Sequence, residues 1–247
     1  MGRMGNEGNA MNKDLVSIIM LAHGRMQFVE ESVRSVLAQT YSRWELLCVD
    51  DSPGYEVVRL LQDLKGNDSR IHVYQSVVQE GACNDRNSAL KDAHGRWIAF
   101  LDCGDVWEPE KLERQVAFME ERGYAFSYTA YLRRGKRIVS GLPVVGWDEL
   151  QRYCWINYLT MMYDCQKLGK VYTKGVCHLK DAYELMLEIS KGRTAISCQS
   201  AWQRVGNWDS RTSSRSYCGT IGYSAMRSMS ILSLPSGAIC STSGMRG

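Results

Sequence analysis

Residues 96–109 read RWIAFLDCGDVWEP, and this stretch decides the fold. It opens with an apolar run, residues 97–101, of the kind that forms a strand buried on both faces of a parallel sheet. The run ends on acid, because Asp102 and Asp105 follow where the strand should open into a loop. Pro109 then marks the first turn of a helix. Ligands of open α/β sheets bind beyond the carboxyl ends of the strands, so this loop is a candidate binding site.

The two carboxylates of this loop suit a divalent cation. Their oxygens are hard ligands of the kind that Mg²⁺ and Mn²⁺ prefer, and through the cation they would hold a diphosphate. A second interpretation of Asp102 and Asp105 stays open at this point. One aspartate would cap the following helix, and the other would only turn the chain.

The chain up to this stretch alternates strand and helix signals with short connections. Short apolar runs predict the strands, and apolar stripes at helical spacing predict the helices. The predicted strands span residues 16–21, 44–49, 70–74 and 97–101, and a helix follows each of them, the last over 110–121. This repeat predicts an α/β fold with a single, Rossmann-like, mostly parallel sheet flanked by helices.

A second acid pair supports a site at the strand ends. The strand predicted over residues 44–49 finishes on Asp50 and Asp51, just before a Pro-Gly turn. The carboxyl ends of parallel strands lie at one edge of a sheet, and random surface acids would not favour that edge twice. Asp51 also has an alternative role, which is to cap the second helix.

The pattern changes after the fourth helix. An aromatic strand and a basic turn come first, and shorter elements follow. The predictions are a strand over 124–132, a turn over 133–136, helices over 147–153 and 180–189, and strands over 159–163 and 194–202. The basic turn is either a solvated face or a contact for an anionic acceptor or a lipid headgroup.

The composition is that of a globular protein. The chain has 247 residues, of which 45% are apolar and 23% charged, enough for one large α/β domain or two small ones. The formal net charge of +3 is too small to indicate a nucleic-acid partner. No secretory h-region and no long apolar run is present, so we expect a cytoplasmic location. The nine cysteines include no CxxC pair, which argues against a zinc site or a disulfide framework.

The two ends of the chain differ from its middle. Residues 1–13 are polar and rich in glycine, and we expect a flexible leader. Residues 210–247 lack acidic side chains and are rich in serine, which predicts a poorly ordered or loosely docked tail. A weak apolar stripe near residues 221–234 leaves open a short amphipathic helix that contacts a membrane surface.

Several stretches together resemble the family 2 inverting glycosyltransferases with a GT-A fold, in particular their bacterial cell-surface polysaccharide members. The resemblance is carried by VSIIM at 16–20, ESVRSVLAQTY at 31–41, WELLCVDDS at 44–52, RNSAL at 86–90, GRWIAFLD at 95–102 and WEPEKLERQ at 107–115. A weaker similarity runs through residues 159–192. The resemblance implies a glycosyltransferase domain over residues 14–209, with a nucleotide-sugar half at 14–122 and an acceptor half at 123–209.

The resemblance implies roles for residues at the strand ends. Ala22 and His23 lie where the first strand of the family meets the nucleotide, and His23 would stack on the base, unless it is a loop histidine without a ligand. Asp51 matches a carboxylate that accepts a hydrogen bond from uracil or a similar base. Arg86 matches a basic residue that faces the nucleotide, and Asp102 matches a carboxylate that contacts the ribose.

The implied metal site departs from the family pattern. The family motif is Asp-x-Asp, and at its last position this chain has Gly104. Asp105 follows one position later. Because glycine lets the loop bend, Asp105 would reach a Mn²⁺ or Mg²⁺ ion shared with Asp102.

Asp181 completes the implied machinery. Inverting glycosyl transfer needs positive charge on the leaving diphosphate and a carboxylate base for the acceptor hydroxyl. The resemblance assigns the base to Asp181, at the start of a predicted helix. The alternative is an acid stabilised there by the helix dipole.

The resulting hypothesis is a metal-dependent, inverting glycosyltransferase. It would move a sugar from a nucleotide-diphosphate donor, a UDP-sugar, to a saccharide or lipid-linked acceptor in cell-surface polysaccharide synthesis, at the inner face of the membrane. An inactive nucleotide-sugar binding module of the same fold is the alternative, and Gly104 is its motivation. A dinucleotide-dependent oxidoreductase is disfavoured, because the first strand–helix turn lacks a Gly-x-Gly-x-x-Gly cradle.

Overall fold

The computed structural model describes residues 12–22, 26–52, 54–76, 82–133, 137–153, 156–173, 181–191 and 194–205. The first half contains β1 Asn12–Ala22, α1 Met26–Leu37, β2 Trp44–Asp50, α2 Glu56–Lys65, β3 Ile71–Gln75, α3 Ala82–Asp92, β4 Gly95–Asp102, β5 Val106–Trp107 and α4 Lys111–Arg122. The second half contains β6 Phe126–Arg133, β7 Arg137–Val139, β8 Val144–Gly146, α5 Trp147–Arg152, a 3₁₀ helix at Tyr158–Thr160, β9 Met161–Asp164, α6 Cys165–Leu168, α7 Asp181–Ser190 and β10 Thr194–Val205.

The strands of the described residues form one sheet in the order β3-β2-β1-β4-β9-β6-β10-β5, with β7 beside β6 and β8 beside β10. Strands β3, β2, β1 and β4 are parallel neighbours. Strand β9 is antiparallel to both β4 and β6, and β10 is parallel to β6. The main strands therefore run one way except for β9, which confirms the predicted mostly parallel sheet.

Each face of the sheet is covered by its own set of helices. Side chains from α1, α2 and α4 pack on one face, and side chains from α3, α5 and α7 pack on the other. Strand β4 alternates between the two layers, with Trp97 and Leu101 in one and Ile98 and Phe100 in the other. The apolar run of this strand is therefore buried on both faces, as predicted.

Several local features differ from the sequence-based expectations. The first strand begins at Asn12, inside the expected leader, because the Asn12 N–H donates to the His94 carbonyl at 3.0 Å and extends the pairing with β4. The two-residue strand β5 was not predicted. The strand expected over 159–163 starts as a 3₁₀ helix, because the Asn157 side chain accepts the Leu159 N–H and caps that turn.

The expected tail, residues 210–247, lies outside the described residues. No helix within the described ranges is long and apolar enough to span a membrane.

Candidate functional site

The carboxyl ends of β1, β2 and β4 lie side by side. Ala22 pairs with Asp50 across β1 and β2, and Leu21 pairs with Asp102 across β1 and β4. The acidic ends of β2 and β4 are thus each one strand away from the end of β1. The structure brings these predicted residues to one edge of the sheet.

The acid pair after β2 divides into two different environments. Asp50 is fully buried, and its carboxylate accepts the Ser52 N–H at 2.9 Å and the Ser52 hydroxyl. Asp51 is half-buried. The N-cap residue of α2 is Tyr55, so neither acid caps that helix. Asp50 therefore turns the chain, and Asp51 is left at the sheet edge.

The carboxylate of Asp102 is held by residues from two other elements. Asp102 is buried, and its Oδ2 accepts a hydrogen bond from the Tyr158 hydroxyl. The guanidinium of Arg86, on α3, donates to the same hydroxyl at 2.9 Å and lies 3.8 Å from Asp102 Oδ2. The Arg86 guanidinium also lies over the Tyr158 ring, 5.0 Å from its centroid. Arg86, Asp102 and Tyr158 therefore lie together in one cluster.

The loop after β4 bends sharply at Gly104. This residue has a φ of +91°, in the region that favours glycine, and the Asp105 N–H donates to the Asp102 carbonyl at 3.2 Å. Asp105 is 5% exposed, so the bend turns it into the protein. The N-cap residue of α4 is Glu110, which excludes helix capping as the role of Asp102 or Asp105.

Polar side chains on α1 and just after it fasten this loop. The Ser32 hydroxyl donates to the Asp105 carbonyl at 2.7 Å, and the Ser35 hydroxyl accepts the Trp107 N–H at 3.2 Å. The Gln39 amide donates to the Glu108 carbonyl at 2.8 Å. These three side chains, which we call the α1 ladder, are buried. Buried polar groups need partners, so the ladder fixes the backbone that carries the two acids.

A second contact joins α3 to the segment after α6. Asn87 donates to the Thr173 carbonyl at 2.9 Å and accepts the Thr173 N–H at 3.1 Å. The buried Cys83 thiol also lies within hydrogen-bond distance of the Thr173 hydroxyl, at 2.5 Å. Helix α3 therefore contacts the second half of the chain through neighbouring residues, Arg86 at Tyr158 and Asn87 at Thr173.

A lysine is buried beside the same loop. The Lys111 ammonium lies over the Trp107 ring, 3.9 Å from its centroid, and the residue is fully buried. Burial lowers the pKa of Lys111 to about 7, because a charge is costly to remove from water.

The structure does not describe the side chains of two predicted site residues. Helix α7 begins at Asp181, as expected, but the Asp181 side chain lies outside the described residues. His23 also lies outside them. Their roles stay predictions.

Sequence reasoning missed Tyr158 and the α1 ladder. Tyr158 belongs to no motif of the sequence, and nothing local links it to an acid 56 positions away. The α1 ladder could have been suspected from the sequence, because Ser32 and Ser35 share the buried face of α1 with Val33 and Val36. Polar residues on a buried face need a partner, and the acid loop supplies it.

The oxygen donors of the loop fit a divalent cation that also binds substrate. Among the described residues no group of three or more His, Cys, Asp or Glu side chains forms a closed cage. Magnesium-like cations commonly use one or two carboxylates together with substrate phosphates, so Asp102 and Asp105 suffice in donor chemistry.

Comparisons with known proteins point to one family. Residues 17–163 match the family model described as "Glycosyl transferase family 2". The chain is 32% identical over 204 residues to "Putative teichuronic acid biosynthesis glycosyltransferase TuaG" of Bacillus subtilis, covering 79% of this chain and 81% of the relative. It is 36% identical over 200 residues to "UDP-Glc:alpha-D-GlcNAc-diphosphoundecaprenol beta-1,3-glucosyltransferase WfgD" of Escherichia coli, covering 76% and 75% of the two chains.

Solved structures share the fold. S. aureus TarS 1-349 in complex with UDP-GlcNAc superposes with a TM-score of 0.66 at 18% identity, over 81% of this chain and 61% of that one. The mannosyltransferase PcManGT from Pyrobaculum calidifontis, in complex with GDP-Man and Mn²⁺, gives a TM-score of 0.59 at 14% identity, over 86% and 59%. These likenesses show that the described sheet and its helices form a GT-A fold.

Proposed function

This chain belongs to glycosyl transferase family 2, and from that premise we propose that it moves a hexose from a UDP-sugar to a saccharide carried on a lipid diphosphate. The chain is a glycosyltransferase. What the proposal adds is the donor, the acceptor and the residues that serve each. The observation that carries it is the grouping of Asp102, Arg86 and the Asp105 loop at the edge of the sheet, in a chain similar to WfgD along most of its length.

The donor is a UDP-sugar in this proposal. WfgD, at 36% identity, and WfaP of Escherichia coli, at 35% identity over 72% of both chains, are named as glucosyltransferases that use UDP-Glc. In this chain Asp51 would accept a hydrogen bond from the base at the end of β2, beside Ala22. Asp102 would contact the ribose at the end of β4. His23 would stack on the base.

The diphosphate would lie between the acid loop and α3. Asp102 and Asp105 would hold a Mg²⁺ or Mn²⁺ ion, which stabilises the charge that develops on a leaving diphosphate. Arg86, buried at 8% exposure beside Asp102, would add a fixed positive charge facing the nucleotide. A preorganised charge at such a position lowers the barrier, because it needs no rearrangement during the reaction.

The acceptor would approach from the second half of the chain. We assign the general base to Asp181, at the first position of α7. It would take the proton of the acceptor hydroxyl while that oxygen attacks the anomeric carbon from the side opposite the diphosphate, with inversion. The relatives named for diphosphoundecaprenol acceptors suggest work at the cytoplasmic face of a membrane. The basic residues predicted as a turn at 133–136, of which 134–136 lie outside the described residues, would there meet anionic headgroups.

An inactive nucleotide-sugar binding module is not favoured. Relatives that cover about three quarters of the chain or more are named as glycosyltransferases, and the bend at Gly104 leaves a buried carboxylate one position later. The presence of Gly104 in place of the last aspartate of the motif is therefore no reason to exclude turnover.

Calorimetric titration of UDP, with and without Mn²⁺, tests the proposal on the wild type, on Asp102→Asn and on the control Asp63→Asn, an exposed acid on α2. We expect Mn²⁺ to tighten UDP binding by the wild type and the control. We expect Asp102→Asn to lose at least about tenfold in affinity.

The same samples are then given UDP-Glc and a synthetic GlcNAc-diphospholipid. Release of UDP that depends on the acceptor supports glycosyl transfer by this site. Binding of UDP without release under any donor would support the inactive module instead. Absence of UDP binding by the wild type would overturn the assignment of the donor.

A further inference from the structure

Tyr158 brings the second half of the chain into the donor site. It lies in the 3₁₀ helix that leads into β9, and its hydroxyl reaches Asp102 Oδ2, 56 positions earlier in sequence. The side chain is half-buried, and its ring packs against Phe100 of β4 at a centroid distance of 6.3 Å. The hydroxyl thus meets the carboxylate at the strand end from the acceptor side.

The Tyr158 hydroxyl also stands between two opposite charges. Arg86 donates to this hydroxyl at 2.9 Å, whereas its guanidinium nitrogen is 3.8 Å from Asp102 Oδ2. The hydroxyl accepts a hydrogen bond from Arg86 and donates one to Asp102, so it bridges the two charged groups. Arg86 and Asp102 are 8% and 2% exposed, so little water competes with this arrangement.

Removal of the hydroxyl would bring the two charges together. A guanidinium and a carboxylate this close and this buried favour a direct, two-bond pair. That pair would occupy the groups that the nucleotide and its cation need. The ring alone would not prevent it, because Arg86 already lies over the ring face.

We propose that Tyr158 is a positioning residue of the donor site, whose hydroxyl orients Asp102 and keeps Arg86 from pairing directly with it. The inference rests on the proposed function, since it assigns Asp102 and Arg86 to a sugar nucleotide. It adds that the donor site is completed by the acceptor half of the chain.

The test uses Tyr158→Phe, which removes the hydroxyl and keeps the ring against Phe100 and Arg86. Asp102→Asn and the double variant complete a double-mutant cycle. Tyr128→Phe is the matched control, because it also removes a tyrosine hydroxyl that donates a hydrogen bond, in this case to the Leu142 carbonyl. UDP is titrated into each folded variant with and without Mn²⁺.

We expect Tyr158→Phe to weaken UDP binding in the presence of Mn²⁺ by about tenfold, the size of one hydrogen bond to a charged group. We expect a smaller loss without Mn²⁺. The double variant should bind UDP no more weakly than Asp102→Asn alone, because Tyr158 acts through Asp102. Tyr128→Phe should bind UDP as the wild type does.

Three results would overturn the inference while the proposed function stands: wild-type affinity in Tyr158→Phe, losses that add in the double variant, or an equal loss in Tyr128→Phe. A wild type that does not bind UDP would instead overturn the proposed function, and this inference with it. The two failures are therefore distinguishable by the wild-type titration.

Discussion

The Ser32 hydroxyl of α1 accepts the backbone N–H of Gly104 at 3.0 Å. The same hydroxyl donates to the carbonyl of Asp105, so one side chain holds both ends of the Gly104–Asp105 dipeptide. Ser32 is fully buried, and a replacement without a hydroxyl would remove its hydrogen bonds to both backbone groups, although the Gly104 N–H also donates to the Phe28 carbonyl at 3.3 Å. The direction in which Asp105 points therefore depends on a serine in the first helix.

Substitution Ser32→Ala should loosen the acid loop. We expect the free energy of unfolding to fall by about 1–3 kcal/mol, because two buried backbone groups each lose a hydrogen bond. We also expect weaker UDP binding in the presence of Mn²⁺. Urea denaturation and calorimetry measure the two effects.

The control for Ser32 is Ser190→Ala. Ser190 is also fully buried, but its hydroxyl donates to Leu187 within α7. It should lose about 1 kcal/mol of stability and keep its affinity for UDP. Equal UDP affinities in the two variants would show that the loop does not need Ser32.

Substitution Gly104→Ala should strain the loop without a steric clash. A Cβ at this position would meet Phe28 only at ordinary contact distance, 3.8 Å, whereas the φ of +91° disfavours any side chain. We expect a loss of about 1–2 kcal/mol in the free energy of unfolding, with weaker Mn²⁺-dependent UDP binding. Gly169→Ala is the control, because Gly169 has a φ of +73° and open space around it. A loss of UDP affinity common to both variants would contradict a local effect.

The two acids after β2 should respond differently to removal of their charge. Asp50→Asn should lower the free energy of unfolding by about 1–3 kcal/mol, because the buried carboxylate that accepts from Ser52 loses its charge. Asp51→Asn, at a half-buried position, should change stability by less than about 0.5 kcal/mol. It should nevertheless weaken UDP binding in calorimetry. Wild-type UDP affinity in Asp51→Asn would refute its assignment to the base.

Lys111 should make stability depend on pH. Its pKa of about 7 in the folded protein lies below the value of about 10.4 expected for an unfolded chain. Between these values the unfolded chain binds more protons, so the free energy of unfolding rises with pH over this window. Below about pH 7 the lysine is charged in both states, and the full cost of burying it applies.

Lys111→Met removes that cost. We expect a gain of about 1–3 kcal/mol near pH 6, since the Trp107 ring already offsets part of the burial of charge. The gain should shrink as pH rises towards about 10. Urea denaturation of both proteins across this range measures the difference. Lys91→Met, at an exposed position on α3, should show no such trend. A gain that is constant with pH would contradict the titration of Lys111.

The sequence predicted the frame of the site better than its contacts. Apolar runs such as residues 97–101 predict parallel strands, and parallel strands place Asp51 and Asp102 at one edge by geometry alone. Tyr158 could not be found this way, because its contact with Asp102 depends on the antiparallel placement of β9 beside β4. Local periodicity carries no information about such long-range pairing.

Strand β9 follows β6 in sequence but lies between β4 and β6 in the sheet. A polypeptide that ended after α4 would therefore expose the edge of β4. Asn87 would lose its hydrogen bonds to Thr173, and Asp102 would lose its hydrogen bond from Tyr158. Because these contacts join the two halves of the chain, we expect that neither half can be replaced independently by that of a related enzyme. Under the proposed assignments, a change of acceptor preference that alters the 3₁₀ helix or the segment at Thr173 would also change donor recognition, so the two specificities would evolve together.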